Sequence, residues 1–326
     1  MRRRGLLLAA PALMAAAGCV QAQVASPRAT LPPARPLVLP AMPGGRLEPL
    51  GGLILDNAVL GFGGLSGLHL TDDLQLTAIA DVGHWLTARL VLDAGLHPLG
   101  LAELRTGPLR DGAGAALPRG FAGDAESLAR LPNGEWLVGF ERWHRLRSYA
   151  RLDGPARYVE APPELAEAPG NGGLESLAVL ADGRWLMIAE GWNVTGAADG
   201  VRRVWLGGPE RGWTRLAYRA EAPMDPCDAA ALPDGGALVL ERSFSVFGGF
   251  RGRLVRLTGA QLAAAHDGCV LEGEELLRLE PPLPTDNYEG VAVARHGGRS
   301  LVALISDDNQ NMLQRTLLLL FAVVDE

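Results

Sequence analysis

The sequence contains no lysine, so all 30 of its basic residues are arginine, and 37 acidic residues outweigh them. Nucleic-acid binding needs clustered cations facing phosphates, and an acidic chain without a basic block offers no such cluster. Cysteine is also scarce: Cys19, Cys227 and Cys269 are the only three, and their spacing matches no metal or redox motif. We therefore expect no nucleic-acid partner, and Cys227 and Cys269 either pair in an oxidising compartment or remain buried thiols.

Long apolar runs are missing after the first 22 residues. Leu317 to Val324 is apolar for only eight residues, whereas a membrane-spanning helix needs about 20. This segment predicts a buried strand, and no transmembrane helix is expected. The 48% hydrophobic content excludes a disordered chain. Many glycines, short apolar runs and few helical patterns indicate one β-rich domain.

The N-terminus has the features of an export signal. Arg2 to Arg4 form a basic region, and Leu6 to Ala17 form an apolar one. Residues 1–22 are therefore assigned to the signal, which ends either at an alanine-rich cleavage site or at a lipobox that would lipidate Cys19. Residues 23–45 are proline-rich and predict an extended tether. We expect the folded domain to span 46–326 and to lie in the periplasm, on the outer membrane or outside the cell.

Five segments of the sequence resemble one another at a period of roughly 50–60 residues, which indicates a repeat architecture. Their aligned positions are separated by 60, 49, 53 and 61 residues, and they are Ser66, Glu126, Glu175, Asp228 and Glu289. In the middle three, Asn133-Gly134, Asp182-Gly183 and Asp234-Gly235 separate two apolar runs, as in a β-hairpin.

Four strands per unit of this length are typical of a propeller blade. The length of the domain predicts six blades, the last of which would combine Arg46–Leu60 with Leu317–Val324 and so close the ring. A β-sandwich array or a solenoid is the alternative. We expect a monomer.

A second acidic position follows each hairpin turn, at Asp81, Glu141, Glu190, Glu241 and Asp307 or Asp308. If the hairpins are the inner strands of a propeller, their open ends converge on one end of the central channel. Like charges opposed across a sheet repel one another, so the cluster needs a bound cation, an arginine partner or raised pKa values. Alternatively, each carboxylate is a latch within its own blade.

Oxygen-only ligands at high density are typical of Ca²⁺ sites, and the scarcity of histidine disfavours zinc. The predicted metal ligands are Asp81, Glu126, Glu175, Asp228, Glu289, Asp307 and Asp308. His144 is the one histidine near them, and we expect it to have a surface or packing role.

Two other motifs do not meet the requirements of the sites that they suggest. Residues 61–67 (GFGGLSG) are glycine-rich, but no helical pattern follows them, as a dinucleotide-binding loop would require. Ser66 lacks the final glycine of a nucleophile elbow, and carboxylates occupy its repeat position elsewhere. We do not interpret Ser66 as a nucleophile.

Over residues 46–326 the chain resembles the bacterial phytase-like family labelled "esterase-like activity of phytase". The segments that carry the resemblance include DNYEGVAV (286–293), ISDDN (305–309) and QRTLLLLF (314–321). Further matching segments are GGLSGL (63–68), DAESLARLPNGEWLVGFER (124–142), GGLESLAVLADGRWLMIAEG (172–191) and LERSF (240–244). The resemblance implies an exported propeller that hydrolyses phosphate esters or other esters.

These observations leave three hypotheses for the function. In the first, Ca²⁺ polarises a phosphate ester, Arg142, Arg242 and Arg315 neutralise it, and Glu141, Glu190 or Glu241 is the general base. In the second, the same site hydrolyses a lactone or a sugar ester, with fewer arginines near the metal. In the third, the propeller is a non-catalytic binding protein of the cell envelope, and Ca²⁺ stabilises it.

Overall fold

The protein is described here by a computed structural model, which covers residues 33–324. The predicted export signal, Cys19 and the first part of the predicted tether lie outside the described residues. The described part begins with a strand in the predicted tether, so the folded domain starts earlier than residue 46. None of the helices among residues 33–324 is long and apolar enough to cross a membrane.

The strands form five sheets, which are antiparallel except for one two-residue strand and are numbered here as blades 1 to 5. Two strands precede blade 1 and belong to blade 5: β1 (Ala34–Leu37) and β2 (Leu47–Leu55). Blade 1 contains β3 (Leu65–Leu70), β4 (Gln75–Ala80), β5 (His84–Leu92) and β6 (Pro98–Pro108). Blade 2 contains β7 (Ala125–Arg130), β8 (Trp136–Phe140), β9 (Arg145–Tyr149) and β10 (Arg157–Val159). Blade 3 contains β11 (Leu174–Val179), β12 (Trp185–Asn193), β13 (Val201–Gly208) and β14 (Gly212–Arg219).

The remaining strands complete the ring. Blade 4 contains β15 (Asp225–Ala231), β16 (Ala237–Ser245), β17 (Gly249–Leu257) and, as its outer strand, β19 (Glu274–Leu279). The short strand β18 (Val270–Leu271) lies between β17 and β19 in the sequence and joins β14 of blade 3. Blade 5 contains β20 (Asn287–His296), β21 (Arg299–Asp307) and β22 (Leu317–Val323). The helices are α1 (Asn57–Leu60), a 3₁₀ helix (Pro163–Glu167) and α2 (Gly259–Ala264).

The predicted propeller fold is confirmed, and the described residues form five blades rather than six. The inner strands β3, β7, β11, β15 and β20 lie side by side in a closed ring around an axis. The predicted pairing of the two ends also occurs, since β2 pairs with β22 from Leu47–Val323 to Ile54–Leu317. However, β22 also pairs with β21, so both end segments complete blade 5 instead of forming a sixth sheet.

The core consists of five apolar clusters, one at each interface between neighbouring blades. Trp136 and Trp185, which occupy equivalent hairpin positions in blades 2 and 3, belong to it: Trp136 packs edge-on against His69 of blade 1, and Trp185 packs against Trp213. Strand β22 is buried along nearly its whole length, as its apolar sequence predicted. Burial between sheets therefore fixes the blades around the axis and holds the inner strands in place.

Each inner strand contains a β-bulge near its first residues, where two residues face one residue of the partner strand. The bulged pairs are Ser66–Gly67, Glu126–Ser127, Glu175–Ser176, Cys227–Asp228 and Glu289–Gly290. The counterpart of Glu126 in blade 4 is therefore Cys227, and the predicted Asp228 lies one residue further along. Because a shift of one residue reverses the face of a strand, Asp228 points away from the aligned carboxylates.

Asp228 is fully buried and ties neighbouring inner strands together. Its Oδ1 accepts a hydrogen bond from the Ala229 N–H, and its Oδ2 accepts one from the Val291 N–H of β20, both at 2.8 Å. Burial raises the pKa of this carboxyl well above its ordinary value, although the backbone N–H groups act in the opposite direction. The residue therefore stabilises the ring.

We predict that Asp228→Ala lowers the free energy of unfolding by about 2–4 kcal/mol, because it leaves buried backbone N–H groups without acceptors. Urea unfolding measures this change, with Asp199→Ala, an exposed aspartate on the loop after β12, as the control. A change below about 0.5 kcal/mol, the ordinary effect of a surface substitution, would contradict the structural role.

Candidate functional site

The open ends of the inner hairpins converge at one end of the ring, and their acidic side chains form a cluster that we call the mouth. The carboxylates of the mouth are Asp81, Asp124, Glu126, Glu141, Glu175, Glu190, Asp286, Glu289, Asp307 and Asp308. The structure brings together six of the seven predicted metal ligands, the exception being Asp228. It also adds Asp124 and Asp286, which directly precede the inner strands β7 and β20.

Two groups of three carboxylates lie close enough to share a cation. Oxygens of Asp124, Glu126 and Glu141 are all within 4.8 Å of one another, and so are oxygens of Glu141, Glu175 and Glu190. Glu141 belongs to both groups, and its Oε1 accepts the N–H of Gly172 at 2.5 Å and that of Gly173 at 3.3 Å. The loop before β11 therefore fixes the carboxylate that joins blades 2 and 3.

Arg242 is the central cation of the mouth. Its Nη2 lies 2.9 Å from Glu289 Oε1, 3.2 Å from Glu190 Oε1 and 3.9 Å from Glu175 Oε2. The register of blade 4 pairs Arg242 with Asp225, which places it where the other blades have Asp81, Glu141, Glu190 and Asp307. The predicted need for an arginine partner is therefore met by a side chain that was predicted to bind substrate.

The register of blade 4 also places Glu241 away from the mouth. Its carboxylate is fully buried between blades 3 and 4 and receives Arg253 Nε at 2.7 Å and Nη2 at 2.9 Å. The Tyr218 hydroxyl and the Glu221 N–H donate to it as well. Since these partners occupy both oxygens, the structure does not present Glu241 as a general base.

On the side of blades 1 and 5, amides and hydroxyls hold the carboxylates. Glu289 accepts hydrogen bonds from Asn287 Nδ2 at 2.6 Å and from Ser66 Oγ at 3.3 Å. Asp308 accepts from Asn57 Nδ2 at 2.7 Å and from the Gly64 N–H at 3.0 Å. Ser66 is thus a donor in the mouth, which agrees with its exclusion as a nucleophile.

Burial and mutual repulsion raise the pKa values of most of these carboxyls. Burial is the larger cause and the neighbouring carboxylates the smaller one for Glu126 and Glu175, whose pKa values lie well above the ordinary range. The same causes raise the pKa of Asp81 to about 7 and that of Asp307 to about 8. Part of the mouth is therefore protonated near neutral pH when no cation is bound.

Two further arginines lie at the edge of the mouth. Arg142 Nε is 2.8 Å from Asp124 Oδ2, and Arg315 Nε is 3.8 Å from Asp286 Oδ2. Each side chain is almost half exposed, so each guanidinium contacts both a mouth carboxylate and solvent. All three predicted arginines therefore lie at the site.

The cysteines and His144 take no part in a nitrogen or sulfur metal site among the described residues. Cys227 and Cys269 are unpaired thiols, and Cys227 Sγ lies 3.2 Å from the carbonyl oxygen of Tyr288. His144 Nε2 lies 2.9 Å from the carbonyl oxygen of Pro169. The two carboxylate groups thus consist of oxygen donors alone, which fits a hard cation such as Ca²⁺ and not zinc.

Comparison with solved structures gives only distant likenesses. They include a luciferin-regenerating enzyme (11% identity, 79% of this chain and 91% of that chain, TM-score 0.43). Virginiamycin B lyase from Staphylococcus aureus is 9% identical, with 80% of this chain and 96% of that chain covered and a TM-score of 0.38. The aldose sugar dehydrogenase of Streptomyces coelicolor is 15% identical, with 90% of this chain and 94% of that chain covered and a TM-score of 0.41. Likenesses this distant carry no information on activity.

Comparison with curated proteins gives no significant match. The sequence does match a family model over residues 60–310, a range that runs from the loop before β3 to the residues after β21. This range contains all the carboxylates of the mouth and Arg242, and it covers more than half of the chain. The protein therefore belongs to the Phytase-like family, which is described as "Esterase-like activity of phytase".

Proposed function

We propose that the protein is an exported hydrolase that cleaves a phosphate ester, or a related ester, with the help of Ca²⁺ bound in the mouth. The observation that carries this proposal is the pair of carboxylate groups that share Glu141, beside Arg242. Family membership supports an esterase-type activity, and the arginines at the mouth support an anionic substrate.

The charge of the mouth supports a bound cation. Ten carboxylates face the three guanidinium groups of Arg142, Arg242 and Arg315. An anionic ester cannot approach such an excess of negative charge unless protons or cations neutralise it. Asp124, Glu126, Glu141 and Glu175 are the residues that would hold the cation. When bound, it would polarise the ester and lower the pKa of a water molecule.

The arginines have separate roles in this proposal. Arg142 is almost half exposed and can donate two parallel hydrogen bonds to a phosphoryl group while it stays near Asp124. Arg315 is also almost half exposed, beside Asp286, and can contact a second oxygen. Arg242 is mostly buried among three carboxylates, and it stabilises the metal-free mouth.

Glu190 is the best candidate for the general base. Burial raises its pKa, and the carboxylates of Asp225 and Glu141 add to this rise, while Arg242 opposes it. A carboxylate with a raised pKa accepts a proton near neutral pH more readily than an ordinary glutamate does. The other two predicted bases are less available for proton transfer, because Glu241 is paired with Arg253 and Glu141 already accepts two backbone hydrogen bonds.

The non-catalytic alternative rests on one observation, which is that Arg242 already stabilises the mouth without a substrate. In that case Ca²⁺ would only hold blades 2 and 3 together through Glu141. A lactone or sugar-ester hydrolase would need fewer arginines at the mouth than the three found there.

We predict Ca²⁺-dependent hydrolysis in a screen of phosphomonoesters, phosphodiesters, carboxyl esters and lactones. Glu175→Gln should lower this activity by about 100-fold or more, since it removes a carboxylate that would hold the cation. Glu160→Gln, at an exposed glutamate after β10, is the matched control. A cation-dependent rise in melting temperature without turnover of any ester would support the non-catalytic alternative. If a chelator changes neither the activity nor the melting temperature, the proposed metal site is wrong.

The pKa values predict how stability depends on pH. In the cation-free protein, Asp81 and Asp307 bind protons more tightly than in the unfolded chain, where an aspartate titrates near about 3.9. The contribution of these two aspartates to the stability of the folded protein is complete below about pH 3.9 and is lost as the pH rises through about 7 to 8. The melting temperature should therefore decrease as the pH is raised from mildly acidic values to about 8.5, and Ca²⁺ should raise it most at the alkaline end. A melting temperature that rises with pH under chelation would refute this prediction.

Replacement of the central cation should destabilise the metal-free protein. Arg242→Gln leaves Glu175, Glu190 and Glu289 without their positive partner, at a cost of about 3 kcal/mol in urea unfolding. The cost should shrink at acidic pH and with saturating Ca²⁺, because protons or cations then replace the guanidinium. Arg251→Gln, at an exposed arginine without an ion pair among the described residues, is the control. Equal costs at all pH values would argue against a charge effect.

A further inference from the structure

The loops at the mouth end of the ring carry most of the exposed apolar side chains. Among residues 33–324, thirteen large apolar side chains are exposed, and seven of them lie on loops of three blades at this end. They are Phe121 and Trp143 on blade 2, Phe244, Val246 and Phe247 on blade 4, and Met312 and Leu313 on blade 5. We call these three groups the tips. Scattered apolar residues are ordinary on a protein surface, but their concentration at one end marks an interaction site.

The blade 4 tip is a hairpin that projects beyond the mouth. Strands β16 and β17 stay paired past Arg242 of the mouth, as far as Ser245. At about 3.3 Å per residue, the turn at Val246 lies about 13 Å beyond Arg242 along the hairpin. The rings of Phe244 and Phe250 pack across the two strands with their centroids 4.8 Å apart, which stiffens the hairpin. The turn therefore holds its apolar side chains out in solvent.

The other two tips adjoin carboxylates of the mouth in the sequence. Trp143 follows Glu141 by two residues, in the turn between β8 and β9. Met312 and Leu313 follow Asp308 in the loop between β21 and β22. Because these carboxylates lie at one end of the ring, all three tips belong to that end.

Arginines lie beside the aromatic side chains of the blade 2 tip. The guanidinium of Arg145 lies over the ring of Trp143, 5.0 Å from its centroid, and that of Arg142 lies 5.8 Å from the ring centroid of Phe121. Arg142 is almost half exposed, so its guanidinium reaches solvent at the same level as these rings.

The blade 4 and blade 5 tips also have arginines beside them. Arg251 is exposed, and a Cβ on Gly248 of the turn would meet its guanidinium at 3.9 Å. Arg315 is almost half exposed and lies two residues after Leu313. Each tip thus combines apolar side chains with a cation.

This combination fits a phospholipid surface. Aromatic and aliphatic side chains enter the boundary between headgroups and acyl chains, and arginines beside them bind the phosphates. A folded protein partner would need one continuous, closely packed surface, whereas the tips are separate projections on three blades. A second copy of the chain, docked through the same face, would bring two acidic mouths against each other.

The acidic mouth does not prevent docking on phosphates. The turn of the blade 4 tip stands about 13 Å beyond Arg242, which exceeds the Debye length of about 8 Å at physiological ionic strength. Repulsion across this distance in water is largely screened. The arginines beside the tips therefore dominate the charge that a phosphate meets first.

We propose that the three tips dock the mouth end of the ring on a phospholipid surface. The apolar side chains enter the interfacial layer, and the arginines contact lipid phosphates. Docking turns the mouth toward the headgroups. This interaction goes beyond the proposed function and does not depend on it.

The test is cosedimentation with vesicles made of equal parts of phosphatidylcholine and phosphatidylglycerol, in the presence of a chelator. Wild-type protein should bind. Val246→Ser/Phe247→Ser should bind about tenfold more weakly or less, because two apolar side chains no longer enter the lipid. Met312→Ser/Leu313→Ser should weaken binding in the same direction. All four side chains are exposed, so both variants should melt at the temperature of the wild type.

The matched control is Leu99→Ser/Tyr158→Ser. It also removes two exposed apolar side chains, but from the outermost strands of blades 1 and 2, and it should bind like the wild type. Tryptophan fluorescence adds a second readout, because Trp143 is the one exposed tryptophan among the described residues. Vesicles should shift the emission of the wild type to the blue, and Trp143→Phe should bind with most of this shift lost.

The outcomes separate docking from catalysis. Binding that the tip variants weaken and the control does not supports docking even if no ester is hydrolysed, and in that case only the proposed function fails. Failure of the wild type to bind, or equal binding by the blade 4 variant, overturns the docking proposal. Self-association that the blade 4 variant abolishes, without vesicle binding, overturns it in favour of a second copy.

Discussion

Repulsion between carboxylates is the constraint on which this structure depends. The inner hairpins of blades 1, 2, 3 and 5 bring acidic side chains to one end of the ring, where burial makes each negative charge costly. The protein reduces the cost in two ways: Arg242 contacts Glu175, Glu190 and Glu289, and raised pKa values favour the protonated form of other carboxyls such as Asp81 and Asp307. Both arrangements respond to a cation, which would lower the raised pKa values of the carboxyls that it contacts and compete with Arg242 for Glu175.

The fold supports this cluster through interactions that lie outside it. Apolar clusters between neighbouring blades fix the direction of the inner strands, and β2 closes the ring by pairing with β22. Asp228 ties β15 to β20 through buried hydrogen bonds, and Glu241 ties blade 4 to blade 3 through Tyr218. Two carboxylates of the repeat thus stabilise the scaffold, while their neighbours Cys227 and Arg242 face the mouth.

The sequence predicted the propeller, the hairpins, the pairing of the two ends and the convergence of the acidic positions. Periodicity and turn residues carry that information, because each repeat forms the same local structure. It did not predict the bulge in each inner strand, which leaves no mark in the hydrophobic pattern. In blade 4, Asp228 and Glu241 were aligned with the acids by residue type, although Cys227 and Arg242 hold the equivalent places. The distance to the turn was the signal that could have shown this, because Cys227 lies seven residues before Asp234, as Glu126 does before Asn133. Asn57 was missed because it lies outside the repeat, and only folding brings it to Asp308.

The central claim is that the mouth exchanges protons for a cation. Isothermal titration with CaCl₂ at pH 7, repeated in buffers of different ionisation enthalpy, measures the affinity and the number of protons released. The account predicts saturable binding with net proton release, because burial and the neighbouring carboxylates raise the pKa values of Glu126 and Glu175, and a bound cation lowers them again. Absence of binding, or binding without proton release, would contradict it.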